Sequence, residues 1–342
     1  MPLGEAKAIE LITRSIGRRN PEILKAIGDD AALYRDGLVV TTDAYLENVH
    51  FDRCYLELSA IGARAMCGTL SDIAAMCARP IGVFVSLMVP PEVNAQDLRG
   101  LYSGMDAVCS IYRTEIAGGD IVASDKLGLA LAALGRARRP RLRSGARPGD
   151  WLYLTGNLAL AETGRLALKY GFRPARYRHA IERHVCPLPR IFEAQRLARR
   201  INGLIDTSDG LSTDAGHIAD ESRVRIVIDY DALPVAPETI RLAGELRIEL
   251  VQFIVSSGED YELLFTSPHP ALRVPPDAGG RPGTRDDARS VSPVALTRIG
   301  RVEQGRGVYL NVGGRRRRLH PSGYDHLAVR RSRHPRVRSA RA

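Results

Sequence analysis

A chain of 342 residues is long enough for two domains and a substantial core, and its 44% hydrophobic and 26% charged content is that of an ordinary globular protein. No apolar run approaches the roughly 20 residues that cross a bilayer, and the opening "MPLGEAKAIELITRSIGRR" carries acids and no continuous apolar stretch, unlike a secretory signal. The net charge of +10 is unevenly placed, because residues 313–342 hold ten arginines and a single acid, Asp325, and so carry nine of it. The body is nearly neutral. The basic end reads as a solvated, disordered segment. The competing reading, a nucleic-acid-binding protein, lacks aromatic residues interleaved with those arginines. Five scattered cysteines (Cys54, Cys67, Cys77, Cys109 and Cys186), with no C-x-x-C spacing, read as reduced thiols of a cytoplasmic protein.

Ile9, Ile12 and Ile16 share one face of an opening helix. "GLVVTTD" (37–43) reads as a buried strand ending in a polar turn. "LSAIGARAMCGTLSDIAAMCA" (58–78) is a long small-residue helix stopped near Pro80, and "IGVFVSLMV" is a strand closed by Pro90 and Pro91. A helix follows over 95–112, then "TEIAGGD", with its glycines in a turn or a site, and a strand "KLGLALAALGRA". The Arg- and Pro-rich "RARRPRLRSGARPGD" (136–150) looks like an interdomain connection. Beyond it come a strand "WLYLTG", a helix over 159–170, strand, turn and helix start in "NGLIDTSDGL", and a strand "RVRIVIDYDALP". "VQFIVSSGEDYELLFT" gives two apolar runs split by an acidic turn, and residues 268–295 form a Pro-, Gly- and Arg-rich insertion. Strands alternating with helices indicate a mixed α/β or α+β protein with two halves.

Acids recur where apolar segments meet turns: Asp30 in "IGDDAAL", Asp43 in "VVTTDAYLENVHF", Asp120 in "AGGDI", Asp206 and Asp209 in "DTSDGL", and Glu259 in "GEDYELLF". Asp72 lies inside the small-residue helix, where aspartate has poor propensity. Each has a plain alternative. Gly-Asp-Asp is a common turn, Asp43 or Asp209 could cap a helix, and a single histidine such as His50 is most often structural. Together they form a set of carboxylates without lysines in the same motifs, at the strand ends where α/β proteins build ligand sites. Such a set calls for cations, and with almost no His or Cys in the motifs it favours hard, oxygen-seeking ions, above all magnesium. Glycines beside the acids would let backbone N–H groups approach phosphate oxygens. The usual Walker and Gly-x-Gly-x-x-Gly phosphate loops are absent.

In order, "GDDAAL", "TTDAYLENVHF", "LSDIAAMCARP", "AGGD", "RSGARPGDWLYLTG", "DTSDGLSTDAGHIA", "SGEDYELLF" and "GYDHL" resemble the thiamine-monophosphate kinase family. That family is one branch of a superfamily with aminoimidazole ribonucleotide synthase, selenophosphate synthetase and a hydrogenase-maturation protein. The resemblance runs from about residue 4 to 327. It implies a two-domain α/β (α+β) synthase-like fold. Residues 1–138 would form a metal- and ATP-binding domain that pairs in a homodimer, 139–327 a C-terminal α/β domain, and 328–342 a basic tail. It implies ATP-dependent phosphorylation of thiamine phosphate to thiamine diphosphate, with several Mg2+ ions, no membrane partner and no general base. Asp30, Thr41, Thr42, Asp43, Asp72, Asp120, Asp206 and Asp209 would bind magnesium; Gly119, Arg143 and Ser208 would contact ATP; His50, Glu259 and Tyr324 would contact thiamine phosphate. Thr69, Ile121 and Ser257 depart from the family's usual Asn, Thr and Gly. A sibling ATP-dependent ligase acting on a ribonucleotide would keep the same metal motifs.

Overall fold

The computed structural model describes residues 4–17, 20–274, 294–324 and 327. The basic 328–342 segment and most of the 268–295 insertion therefore lie outside the described residues. The first half holds α1 (Glu5–Ser15), β1 (Ile23–Lys25), β2 (Ala32–Tyr34), β3 (Leu38–Leu46), α2 (Leu58–Ala75), β4 (Arg79–Val89), α3 (Ala95–Tyr112), β5 (Ile116–Ala123) and β6 (Gly128–Arg136). Its six strands run in the order β1-β2-β3-β6-β4-β5, with β4 and β5 parallel. One face, carrying Val39, Val83, Val85, Leu87, Leu129 and Leu131, is buried. The opposite face is rowed across the strands as Thr42–Ala132–Phe84–Gly118 and Ala44–Ala130–Ser86–Asp120. On it Phe84 and Val122 stay 43% and 48% exposed.

The second half holds β7 (Trp151–Thr155), α4 (Leu160–Lys169), α5 (Arg178–Val185), α6 (Ile191–Leu197), β8 (Leu204–Asp206), α7 (Leu211–Ser222), β9 (Arg225–Asp229), α8 (Pro237–Leu246), α9 (Leu250–Ser256), β10 (Leu263–Ser267), β11 (Leu296–Glu303), β12 (Gly307–Val312) and β13 (Arg315–Leu319). Its sheet runs β13-β12-β9-β11-β7-β10-β8. The largest apolar core crosses both halves, joining Leu70 and Ile73 of α2 to Ile191, Leu197, Leu204 and Phe265. Thirteen of the eighteen α2 residues are buried, which is why its composition is small and apolar. Among the described residues no helix is long and apolar enough to cross a membrane.

Several local expectations change. Asp43 neither ends its strand nor caps a helix: β3 continues to Leu46, and Asp43 sits opposite Leu131. Gly118, Gly119 and Asp120 are in the edge strand β5 rather than a turn, because β4 offers them a parallel ladder. "VQFIVSS" is mostly helix, capped by Glu249, whose carboxylate accepts from the Val251 and Gln252 N–H groups. Arg315, Arg316, Arg317 and Arg318 belong to β13 and not to a disordered end; Arg316 pairs with Glu303 at 3.0 Å. A row of arginines on an edge strand discourages further strand pairing.

The α2–α3 contact depends on glycine. A methyl group at Gly104 would stand 1.8 Å from the Ser59 carbonyl oxygen, whereas at Gly100 its nearest neighbour is Leu58 Cβ at 3.9 Å. Gly→Ala inside a helix otherwise gains about 1 kcal/mol. Gly100→Ala should therefore stabilise the protein in denaturant unfolding. Gly104→Ala should destabilise it by about 1–3 kcal/mol, because the obstacle is backbone and the helices must part. Equal effects at the two positions would contradict this packing.

Candidate active site

Four chain segments deliver one polar cluster. Asp30 comes from the β1–β2 loop, Asp72 from α2, Asp206 from the end of β8, and Thr41 from β3. Carboxylate oxygens of Asp30, Asp72 and Asp206 lie within 4.8 Å of one another. The Thr41 hydroxyl donates to Asp72 Oδ2 at 2.5 Å, and the Ser71 hydroxyl donates to Asp206 Oδ2 at 2.5 Å. Arg143 Nη2 donates to Asp30 Oδ1 at 2.8 Å, while Asp30 Oδ2 is buried with no hydrogen-bond partner among the described residues. Burial, then the neighbouring Asp43, Asp206 and Asp30, push the Asp72 carboxyl well above its ordinary value. Burial and then Asp30 push Asp206 up to about 8. Three acids against one guanidinium leave the cluster short of positive charge. An all-oxygen, buried donor set with an unpartnered carboxylate oxygen fits a hard divalent cation such as magnesium.

Asp72 also lines a cleft of about 1070 Å³, together with Thr42, Asp43, His50, Ser208, Asp209, Glu259 and Tyr324. Most of the residues singled out in sequence thus share one cavity. Asp43 Oδ2 accepts from the Tyr45 hydroxyl at 2.9 Å. Gly68 permits this approach, since a methyl there would stand 2.1 Å from the Tyr45 oxygen. Ser208 and Asp209 occupy the turn that joins β8 to α7. His50 Nδ1 accepts from the Leu46 N–H at 3.0 Å, so the neutral ring carries its proton on Nε2.

The acids of "GEDYELLF" divide. Only Glu259 lines the cleft, from a turn in which it and Tyr261 have φ of 62° and 51°. Its Oε2 is paired at 2.6 Å with Arg64 of α2, itself 2% exposed, which also donates to the His184 carbonyl. Asp260 turns inward and accepts from the Ala159 and Ala161 N–H groups at 2.6 and 2.9 Å, satisfying the start of α4. Burial pushes the Glu262 carboxyl up, but Arg190 and Arg183 outweigh it and hold the group below its ordinary value. Of the three acids in this turn, Glu259 alone reaches the cleft wall. The others are neutralised by backbone donors and arginines.

Gly119 and Asp120 are not gathered into the cluster. Strands β6 and β4 separate β5 from β3, so at the usual strand spacing they stand roughly 14 Å from it within one chain. Arg143 faces Asp30 and also donates its backbone N–H to Asp29. Sequence reasoning passed over Arg64, Tyr45, Ser71 and the cleft cations Arg165 and Lys169. Arg64 had a readable signal, being the only charge besides Asp72 in α2.

Residues 28–137 match the family of AIR synthase related proteins, N-terminal domain. The chain is 32% identical over 331 residues to the thiamine-monophosphate kinase of Aquifex aeolicus, covering 95% of this chain and 98% of that one. It is 32% identical over 306 residues to that of Pyrococcus abyssi, covering 89% and 91%. A solved structure of AaThiL complexed with AMPPCP and TMP matches with a TM-score of 0.80 at 31% identity, over 95% of this chain and 97% of that one. The hydrogenase maturation protein HypE of E. coli, at 19% identity and a TM-score of 0.63 over 88% and 92%, shares the fold alone. The chain belongs to the thiamine-monophosphate kinase family.

The cluster has a pH signature. Asp72 and Asp206 have folded pKa values above those of the unfolded chain. Their contribution is fully present below about pH 4 and is lost as pH rises through about 8 for Asp206, because the folded state holds the extra protons. A cation bound there would take the proton's place. Magnesium should raise the melting temperature more near pH 8.5 than near pH 6, as roughly fixed by that window. Asp206→Asn should raise the metal-free melting temperature at the higher pH and abolish the magnesium effect. A magnesium effect independent of pH and of Asp206 would contradict this assignment.

Proposed function

We propose that the cleft transfers the γ-phosphoryl group of ATP directly to thiamine phosphate, giving thiamine diphosphate and ADP. The observation that carries the reading is the buried, oxygen-only cluster of Asp30, Asp72 and Asp206, which meets the cleft holding His50, Glu259 and Tyr324 through Asp72. The acceptor is already a phosphate with a second pKa of about 6, so at neutral pH its oxygen is largely ionised and no base is needed. The obstacle is repulsion between two anions. Magnesium ions held by Asp30, Thr41, Thr42, Asp43, Asp72, Asp120, Asp206 and Asp209 would relieve it and stabilise the transferring group. Arg143 fixes Asp30, Thr41 fixes Asp72 and Ser71 fixes Asp206, so the ligand oxygens are oriented before substrate arrives. Ser208, ahead of α7, offers its hydroxyl and the helix N-terminus to ATP phosphates, with Gly119 and Arg143 as further ATP contacts. His50, through its Nε2 proton, and Tyr324 hold thiamine phosphate. Arg64 occupies Glu259 Oε2, leaving Oε1 for the thiazolium.

The site is completed by a second copy of the chain. The open face of the first sheet carries Phe84, Val122, Ala130 and Ala132, and Asp120 lies on that same face. Two such apolar faces stacked against each other form a homodimer, and Asp120, beyond reach within its own chain, serves the other chain's site.

Three measurements test this reading. ADP release should depend on thiamine phosphate and not on free thiamine, whose alcohol would need a base; the reverse preference would overturn direct transfer. Asp43→Asn should keep the melting temperature, since Asp43 caps nothing, yet lose at least about 100-fold in turnover as a metal ligand does. Near-normal turnover would make Asp43 structural. Asp43→Ala and Asp120→Ala chains, each inactive alone, should recover about a quarter of wild-type activity when refolded together, because about half the dimers are mixed and one of their two sites is intact. No recovery would place Asp120 outside the partner's site.

A further inference from the structure

We infer that Cys67 and Cys186 are a peroxide-sensitive dithiol whose reversible disulfide ties α2 to the end of α5 and loosens the substrate end of the cleft. The Sγ atoms lie 3.7 Å apart although the residues are 119 positions apart in sequence. Cys67 is fully buried on α2, and Cys186 is half-buried directly after α5. A disulfide has an S–S length of about 2.05 Å, so the sulfurs need approach by only about 1.7 Å, within the reach of side-chain rotation. Among the described residues the other cysteines stand differently: Cys54 is exposed, and Cys77 donates to the Ala194 carbonyl.

The surroundings assign the roles. The Cys67 thiol beside it, and then Arg183 and Arg64, hold the Cys186 thiol below its ordinary value against the opposing effect of burial. Burial pushes the Cys67 thiol well up. Cys186 is therefore the nucleophile and Cys67 the resolving thiol. The Cys186 thiolate attacks one oxygen of hydrogen peroxide; the O–O bond breaks and hydroxide leaves, takes a proton and becomes water. The resulting sulfenic acid is attacked by the Cys67 sulfur, its S–O bond breaks, and a second water leaves with the thiol proton. Two electrons pass from the thiols to the peroxide. A small thiol such as dithiothreitol reverses the bond by exchange.

The link to the cleft is short. Cys186 follows His184 by two residues, and the His184 carbonyl accepts from Arg64. Arg64 lies one turn before Cys67 on α2 and holds Glu259. Drawing Cys186 toward α2 displaces the His184 carbonyl against Arg64 and so disturbs Glu259. This consequence rests on Glu259 contacting thiamine phosphate, whereas the disulfide itself does not.

The folded enzyme is treated with hydrogen peroxide, alkylated, digested without reduction and analysed by mass spectrometry. A Cys67–Cys186 linked peptide, two hydrogens lighter than the two free peptides and released by dithiothreitol, is expected; exposed Cys54 serves as internal control. KM for thiamine phosphate should rise several-fold with kcat retained, should recover on reduction, and should not change in Cys186→Ser. Alkylated Cys67 and Cys186 after treatment that oxidises Cys54, or a sulfinic acid at Cys186 with no link, would overturn the proposal. A linked peptide with unchanged KM would overturn the coupling through Arg64 alone.

Discussion

Three carboxylates brought within 4.8 Å of one another in a largely buried place repel each other, and each has lost most of its water. Isolated charges cannot be buried at this density without counter-charge. Among the described residues one cation, Arg143, and two hydroxyl donors, Thr41 and Ser71, bond to these carboxylates. Burial and the remaining repulsion raise the Asp72 and Asp206 carboxyls and make them retain protons, and that repulsion is what the cation proposed for this site would relieve. The cluster also needs the β1–β2 loop, β3, α2 and β8 to meet at one place. That requirement explains why the apolar core does not stop at a boundary between halves but runs from the first sheet through α2 to Leu204 and Phe265.

Helix α2 carries this arrangement because it is packed on nearly every side. Gly62 and Gly104 bring α2 and α3 so close that a methyl at either would meet backbone oxygen at 2.0 or 1.8 Å. Gly68 leaves the room that the Tyr45 and Tyr261 hydroxyls occupy. Its two charged residues serve different ends of the cleft. Asp72 joins the carboxylate cluster and Arg64 neutralises Glu259. Eight residues apart on a helix, they are separated by about 12 Å along the axis and turned by roughly 80°. One rigid element thus fixes the distance between the carboxylate cluster and Glu259 at the cleft wall.

Much of this was legible in the sequence. The alternation of strands and helices gave the fold class, and α3 matches its expected range because Asn94 and Asp97 form a reciprocal cap at its start. The motif acids mostly converge, from turns at Asp30, Asp209 and Glu259, the end of β8 at Asp206, the body of β3 at Asp43 and helix α2 at Asp72. Other features depend on partners that sequence order does not reveal. Gly-Gly-Asp reads as a turn until β4 is seen to offer a parallel ladder. Four consecutive arginines read as a tail until β12 pairs with them. Helices α5 and α6 went unassigned because they are short, carry Arg and His among their apolar positions, and are held by tertiary contacts more than by propensity. The long separation in sequence between Arg64 and Glu259, or between Arg190 and Glu262, hides pairs that are adjacent in space.

The turn 258–262 shows why a local acidic pattern marks a site without defining it. Left-handed backbone at Glu259 and Tyr261 swings successive side chains in different directions. Glu259 goes to the cleft and Arg64, Asp260 to the first N–H groups of α4, and Glu262 to two arginines from α5 and the chain ahead of α6. Each acid is buried or half-buried, and each is compensated differently. Asp260 and Glu262 are fully committed inside the protein, so they can hold the turn in its strained shape but cannot bind a ligand. Glu259 keeps one oxygen for Arg64 and stands at the wall of the cleft. The two internal acids anchor the turn, and the strain they sustain is what presents the third.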